Sequence, residues 1–215
     1  MNRTNPNAII NPNLTTLPKF KPKLTLAILA SGKGSNFEAI IKDINNDKLD
    51  AEIKCLIVND PNCGSIEKAK NNCIPYFILN HKDYNNREDL DFAIINILER
   101  FNVEGVIMVG WMRIVTSILI DKFNGKVVNL HPSLLPSFKG NKAVNQALSS
   151  SSKITGCSVH IVNKDVDSGE ILVQAAIPIN ELDDEDTLHF KIQEQEHKII
   201  SIGIAIAASK WRKIE

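Results

Sequence analysis

Residues 24–41 read LTLAILASGKGSNFEAII. Leu24 to Ala30 is an unbroken apolar run of strand length, the pattern of a strand buried on both faces. Ser31-Gly32-Lys33-Gly34 interrupts it, and from about Ser35 the apolar residues Phe37, Ile40 and Ile41 recur at helical spacing. Strand, glycine turn and helix in this order form the opening unit of an α/β protein.

The same rhythm continues along the chain. Ile53–Val58 reads as a second buried strand, closed by the turn-forming Asn-Asp-Pro-Asn at 59–62. A short helix, a strand near Tyr76–Leu79 and a helix over Arg87–Arg100 follow, the last carrying Leu90, Ile94, Ile97 and Leu98 on one side. Val103–Val109 and Lys126–Leu130 are two more strands, with a short helix near Thr116–Phe123 between them. The pattern then changes: Gly156–Val162 and Glu170–Ile179 are strands joined by a short polar loop, which predicts an antiparallel pair. A helix over Glu185–Trp211 closes the chain. The expected fold is therefore α/β: a mostly parallel twisted sheet with helices on both faces, a Rossmann-like N-terminal half and an antiparallel strand pair toward the C-terminus. Residues 1–23, rich in Asn and Pro, are expected to be a flexible leader, and 24–215 a single domain without an interdomain linker.

Composition narrows the class of function. The 25 basic and 25 acidic residues cancel, so nothing draws this chain to nucleic acid or a membrane surface by net charge. Any anion has to be held locally. Apolar runs fall far short of the roughly 20 residues that cross a bilayer. Cys55, Cys63, Cys73 and Cys157 form no CxxC pair and no zinc-ligand spacing, so they read as free thiols of a cytoplasmic protein. No metal site is expected.

The glycine loop Ser31-Gly32-Lys33-Gly34-Ser35-Asn36 opens a helix, where free N–H groups can hold a phosphate. A plain turn, with Ser35 and Glu38 as an S-x-x-E capping box, fits the same residues. A dinucleotide fingerprint fits less well, because its third glycine falls on Phe37, although Asp60 stands where a ribose-binding acid would. A Walker loop is excluded, since Gly-Lys-Ser/Thr does not occur at the needed spacing.

The richest stretch is Lys126 to Gly140, KVVNLHPSLLPSFKG. Its strand delivers Asn129 and His131 at the carboxyl end, where ligands bind in open α/β sheets. Strand alternation puts the two on one face, so an amide and an imidazole can converge on one reacting atom. His160 lies in another alternating strand and reads as a core or supporting histidine. Asp165-Val-Asp167-Ser-Gly169 joins the last two strands; it is either a plain turn or the source of a carboxylate that favours an imidazolium at His131. Asp183–Asp186 reads as charge compensation at a helix N-terminus.

Taken together, SGKGSN at 31–36, GWMRI at 110–114, NLHPSLLPSFKG at 129–140, DVDSG at 165–169 and QEQEH at 193–197 resemble the folate-dependent glycinamide ribonucleotide formyltransferase family. The likeness runs from about Leu24 to Trp211. It implies the formyltransferase fold and an enzyme of purine biosynthesis that passes a formyl group from 10-formyltetrahydrofolate to the amine of glycinamide ribonucleotide. It implies Asn129, His131 and Asp167 as the catalytic trio. Gly34, Ser35, Asn36, Gln193 and Glu196 would bind glycinamide ribonucleotide; Arg87, Met112, Arg113, Ile114, Val115 and Asn129 would bind folate. The implied partners are small molecules alone, in a monomer or homodimer, with no metal. One departure is Val144, where some members carry a histidine.

Rival functions separate on sequence. Formyltetrahydrofolate hydrolases resemble this core with an added N-terminal regulatory domain, for which 23 residues are too few. Methionyl-tRNA formyltransferases carry an added C-terminal domain, and this sequence ends four residues after Trp211. A non-catalytic nucleotide-binding module would use the glycine loop but not Asn129, His131 and Asp167 together.

Overall fold

The computed structural model describes residues 8–213. Its first half runs β1 (Ile9–Asn11), β2 (Leu24–Ala30), α1 (Ser35–Asn45), β3 (Ala51–Val58), α2 (Ser65–Asn71), β4 (Tyr76–Ile78) and α3 (Arg87–Arg100). The second half runs β5 (Gly105–Val109), α4 (Ser117–Lys122), β6 (Val127–His131), α5 (Ala143–Ser149), β7 (Ile154–Ile161), β8 (Ile171–Pro178) and α6 (Glu185–Trp211). The strands form an 8-stranded sheet in the order β1-β8-β7-β6-β5-β2-β3-β4. Pairings among β4, β3, β2, β5 and β6 are parallel, whereas β6–β7, β7–β8 and β8–β1 are antiparallel. The mostly parallel sheet with an antiparallel C-terminal pair is the fold expected from the sequence.

Apolar runs make the parallel strands because both of their faces are covered. One cluster packs Phe37, Ile40, Ile192, Ile199 and Ile204 of α1 and α6 against Leu26, Ile28, Val128 and Val159. The other packs Leu90, Ile94 and Leu98 of α3 and Leu119 of α4 against Ala27, Leu29, Val106 and Met108. Alternate residues of β2 thus serve opposite faces. Helix α6 lies so close to β7 that a Cβ on Gly203 would come within 2.3 Å of Val159.

Chain order reverses between β2 and β5: the chain moves outward through β3 and β4, then returns to the other side of β2. A crevice opens outside the carboxyl ends of strands at such a reversal. Here those ends are Ser31 and Gly110, joined by a Ser31 N–H bond to the Gly110 carbonyl at 3.1 Å.

Two expectations are corrected. Residues 9–23 are not a flexible leader: β1 pairs with β8, Leu17 and Phe20 are buried, and the Phe20 N–H donates to Asp50 Oδ2 at 2.8 Å. Arg212 on the turn after α6 stacks over the Phe20 ring and bonds Glu104. Burial of Leu17 and Phe20 in the core cluster outweighs the entropy that the Asn/Pro composition suggested. Residues 1–7 of the expected leader, and 214–215, lie outside the described residues. The Ser35/Glu38 capping box also does not form, because the N-cap is Gly34 in the left-handed region (φ 79°) with no side-chain cap bond. Glu38 pairs instead with Lys68 of α2. The acidic run before α6 does cap it: Asp184 and Thr187 exchange side-chain-to-backbone bonds, with Glu185 and Asp186 in the first turn.

Candidate active site

Strand β6 presents Asn129 and His131 two residues apart, and its antiparallel partner β7 sets His160 opposite Asn129. The turn between β7 and β8 then brings Asp167, in the left-handed region at φ 49°, back over both strands. Asp167 Oδ2 lies 3.3 Å from His131 Nδ1 and accepts the Gly140 N–H at 2.8 Å. Its Oδ1 lies 3.4 Å from both Asn129 Nδ2 and His160 Nε2.

Burial pushes the Asp167 carboxyl up, but the contacts with His160, the Gly140 N–H and a charged His131 outweigh it and hold it below the usual aspartate range. His131 Nε2 faces the Phe138 carbonyl at 2.9 Å. With a carbonyl at one nitrogen and a carboxylate at the other, only the doubly protonated ring donates to both. His160 Nδ1 donates to the Ile161 carbonyl at 2.9 Å, and its Nε2 lies 3.1 Å from Asn129 Nδ2 and 3.4 Å from Asp167 Oδ1. The Asn129 amide keeps a hydrogen on the long 3.4 Å contact to Asp167. That hydrogen is the one an entering oxygen can take over.

These side chains line a cavity of about 560 Å³, a volume ordinary for small-molecule sites. Arg87 at the start of α3 and Met112, Arg113, Ile114 and Val115 of the loop after β5 line the same cavity. Apolar Met108, Ile114 and Val115 beside the polar trio suit a flat, mostly apolar ring whose reacting end is polar.

The glycine loop makes a second region. The Gly32 carbonyl accepts from Cys63 Sγ and from both the N–H and the hydroxyl of Ser65, which pins the loop to the start of α2. The first-turn N–H groups of α1 have no intrahelical acceptors and favour an anion. Asn36 of that turn donates to Glu196 Oε2 on α6 at 2.8 Å. Burial raises the Glu196 carboxyl, the Asn36 bond and the charge of His189 only partly opposing it. Gln193 stands one turn earlier on α6, half buried.

A profile of the formyl transferase family matches residues 24–204. The chain belongs to the formyl transferase family. Phosphoribosylglycinamide formyltransferase of Bacillus subtilis (strain 168) is 40% identical over 172 residues, 80% of this chain and 88% of that protein. The human trifunctional purine biosynthetic protein adenosine-3 is 40% identical over 206 residues, 95% of this chain. This formyl transferase chain spans 20% of that relative's length. Among solved structures, phosphoribosylglycinamide formyltransferase from Bacillus halodurans superposes with a TM-score of 0.84 at 35% identity, covering 88% of this chain and 98% of that one.

The formyl transferase fold thus draws the sequence candidates into two groups. Asn129, His131, Asp167, Arg87 and Met112–Val115 share the cavity; Gly34, Ser35 and Asn36 gather with Glu196 across the α1–α6 contact, outside the cavity lining. Sequence reasoning gave His160 only a supporting part and missed its direct contact with both Asn129 and Asp167. A signal existed: His160 lies in the apolar run of β7 beside Val159, and a histidine in such a strand needs polar partners. The Asn36–Glu196 bond had no local signal, because 160 residues separate its ends.

Proposed function

We propose that this formyl transferase passes the formyl group of 10-formyltetrahydrofolate, a co-substrate, to the amine of glycinamide ribonucleotide in purine biosynthesis. The observation that carries this reading is Asp167 in contact with His131, His160 and Asn129 on the wall of a cavity that also includes Arg87 and Met112–Val115. Residues 24–215 act as one catalytic domain, in the cytoplasm and without a metal.

The neutral substrate amine attacks the formyl carbon, a C–N bond forms and the carbonyl electrons move to oxygen. Asn129 supplies a hydrogen to that oxyanion and the charged ring of His131 stabilises it; a donor of this kind contributes about 3–4 kcal/mol. Asp167, kept ionised, holds the charge on His131. The bond to the folate nitrogen then breaks and that nitrogen takes up the proton the amine releases, relayed by Asp167 through water. Gly34, Ser35 and Asn36 hold the ribonucleotide phosphate at the α1 N-terminus, and Gln193 and Glu196 orient the glycinamide end. Arg87, Arg113 and the Met112–Val115 wall hold folate.

Incubation with 10-formyltetrahydrofolate, with and without glycinamide ribonucleotide, tests the reading. Tetrahydrofolate production that requires the ribonucleotide is expected. Deformylation independent of it would make water the acceptor, and no turnover in either case refutes the assignment.

A further inference from the structure

The wall formed by residues 110–116 has no secondary structure, yet it must hold a flat ligand in register with Asn129 and His131. Its middle is bare: Met112 is 71% exposed and Ile114 is 49% exposed. Its apolar ends, Trp111 and Val115, sink into the cluster beneath α3 and α4. Polar anchors fasten both ends. At the first, Ser31 donates its N–H to the Gly110 carbonyl and accepts the Met112 N–H on its hydroxyl at 2.9 Å.

At the second end stands Asp91. It is only 1% exposed, in the second turn of α3, flanked in sequence by Leu90 and near Ile94 and Ile95 of the same apolar cluster. A carboxylate in such surroundings is unfavourable unless hydrogen bonds compensate. Its Oδ2 accepts the Thr116 N–H at 2.5 Å. Thr116 ends the loop and caps α4 through a bond from the Ile118 N–H. One turn before Asp91 on α3 is Arg87, which lines the cavity. A single buried carboxylate therefore ties the helix that carries Arg87 to the loop that carries Met112–Val115.

We propose that Asp91 is a positioning residue for the folate site, acting through Thr116 to hold the 110–116 wall against α3 at the separation that a flat ring needs. An apolar residue would pack in the same cluster but leave the Thr116 N–H without its acceptor, so the carboxylate serves to fasten the end of the loop to α3. The role rests on the folate reading of the cavity, and it touches neither the glycine loop nor the Asn129, His131 and Asp167 group.

The test compares wild type, Asp91→Ala and Asp91→Asn by steady-state kinetics and by amide hydrogen exchange. Asp91→Ala is expected to raise the KM for 10-formyltetrahydrofolate about tenfold, since Thr116 loses its buried acceptor. The KM for glycinamide ribonucleotide and kcat at saturating folate stay within about threefold, a split that general destabilisation does not produce. Exchange at residues 111–116 quickens while that at 34–36 does not. Asp91→Asn retains an acceptor oxygen and restores the folate KM to within about threefold of wild type. An unchanged folate KM with unchanged exchange overturns the role, as does an equal rise in both KM values or a failure of Asn to rescue. Should Asp91→Ala not fold, Asp91→Leu removes the acceptor while filling the apolar cluster; a rise in folate KM of about tenfold supports the role and no rise overturns it. A wild-type protein without turnover refutes the functional reading, while the exchange measurement still decides whether Asp91 holds the wall.

Discussion

Asp167 in the cavity and Glu196 behind the glycine loop are both carboxylates withdrawn from water, and they differ in what surrounds them. Four nitrogens approach Asp167: Asn129 Nδ2, His131 Nδ1, the Gly140 N–H and His160 Nε2. A hydrogen bond from the Asn36 amide serves Glu196. Burial is the largest influence on each and pushes both upward, yet Asp167 ends below its ordinary range and Glu196 above it. More donors at Asp167 and deeper burial at Glu196 together decide the sign. One region thereby keeps a charge, and the other holds a carboxyl that ionises reluctantly.

Replacing the carboxylate where charge is kept should have the largest effect. Asp167→Asn is expected to lower kcat by about 10²–10⁴-fold, because His131 loses the partner that sustains its charge. Near-normal turnover would remove Asp167 from the chemistry. On the glycine-loop side, Gly34→Ala should destabilise the fold by about 2 kcal/mol or more, from a left-handed φ of 79° and a new Cβ 2.5 Å from Ser65 Oγ. Urea unfolding measures it, and a loss under about 0.5 kcal/mol would mean the loop is not held as described.

The pH dependence of stability sharpens the contrast, since the two groups carry opposite signs. The Asp167 carboxyl is depressed on folding, so its contribution is fully present above the ordinary aspartate value and is lost as pH falls through the lower folded value. The Glu196 carboxyl is raised on folding, so its contribution is present in acid and is lost as pH climbs from the ordinary glutamate value through the folded one. Relative to wild type, Glu196→Gln should therefore gain stability as pH rises and Asp167→Asn should lose it. Equal slopes in a urea-unfolding series would break the comparison. Glu196→Gln keeps an acceptor for Asn36, and its KM for glycinamide ribonucleotide should rise only about tenfold. Smallest of all is Ser35→Ala, expected to shift stability by no more than about 0.5 kcal/mol, because the hydroxyl makes no cap bond.

Much of this molecule is legible in one dimension. Apolar runs such as Leu24–Ala30 and the 3.6-residue recurrence over Arg87–Arg100 report burial on a local surface, and local periodicity is a property of the sequence itself. Strand alternation likewise puts Asn129 and His131 on one face of β6. Other features depend on which strand lies beside which, and no local pattern encodes that. His160 meets Asn129 because β7 runs back along β6, and Asp167 reaches both histidines because the following turn folds over that pair. Asn36 finds Glu196 only once α1 and α6 share a face of the sheet. The segment before β2 looked unstructured because its few apolar residues have no period; their partners, Asp50 and Arg212, are brought near by the finished fold. Sequence alone determined the α/β architecture and the pair of polar residues at the end of β6. Tertiary structure alone decided which charges face each other, since distant partners meet only after the sheet order is set.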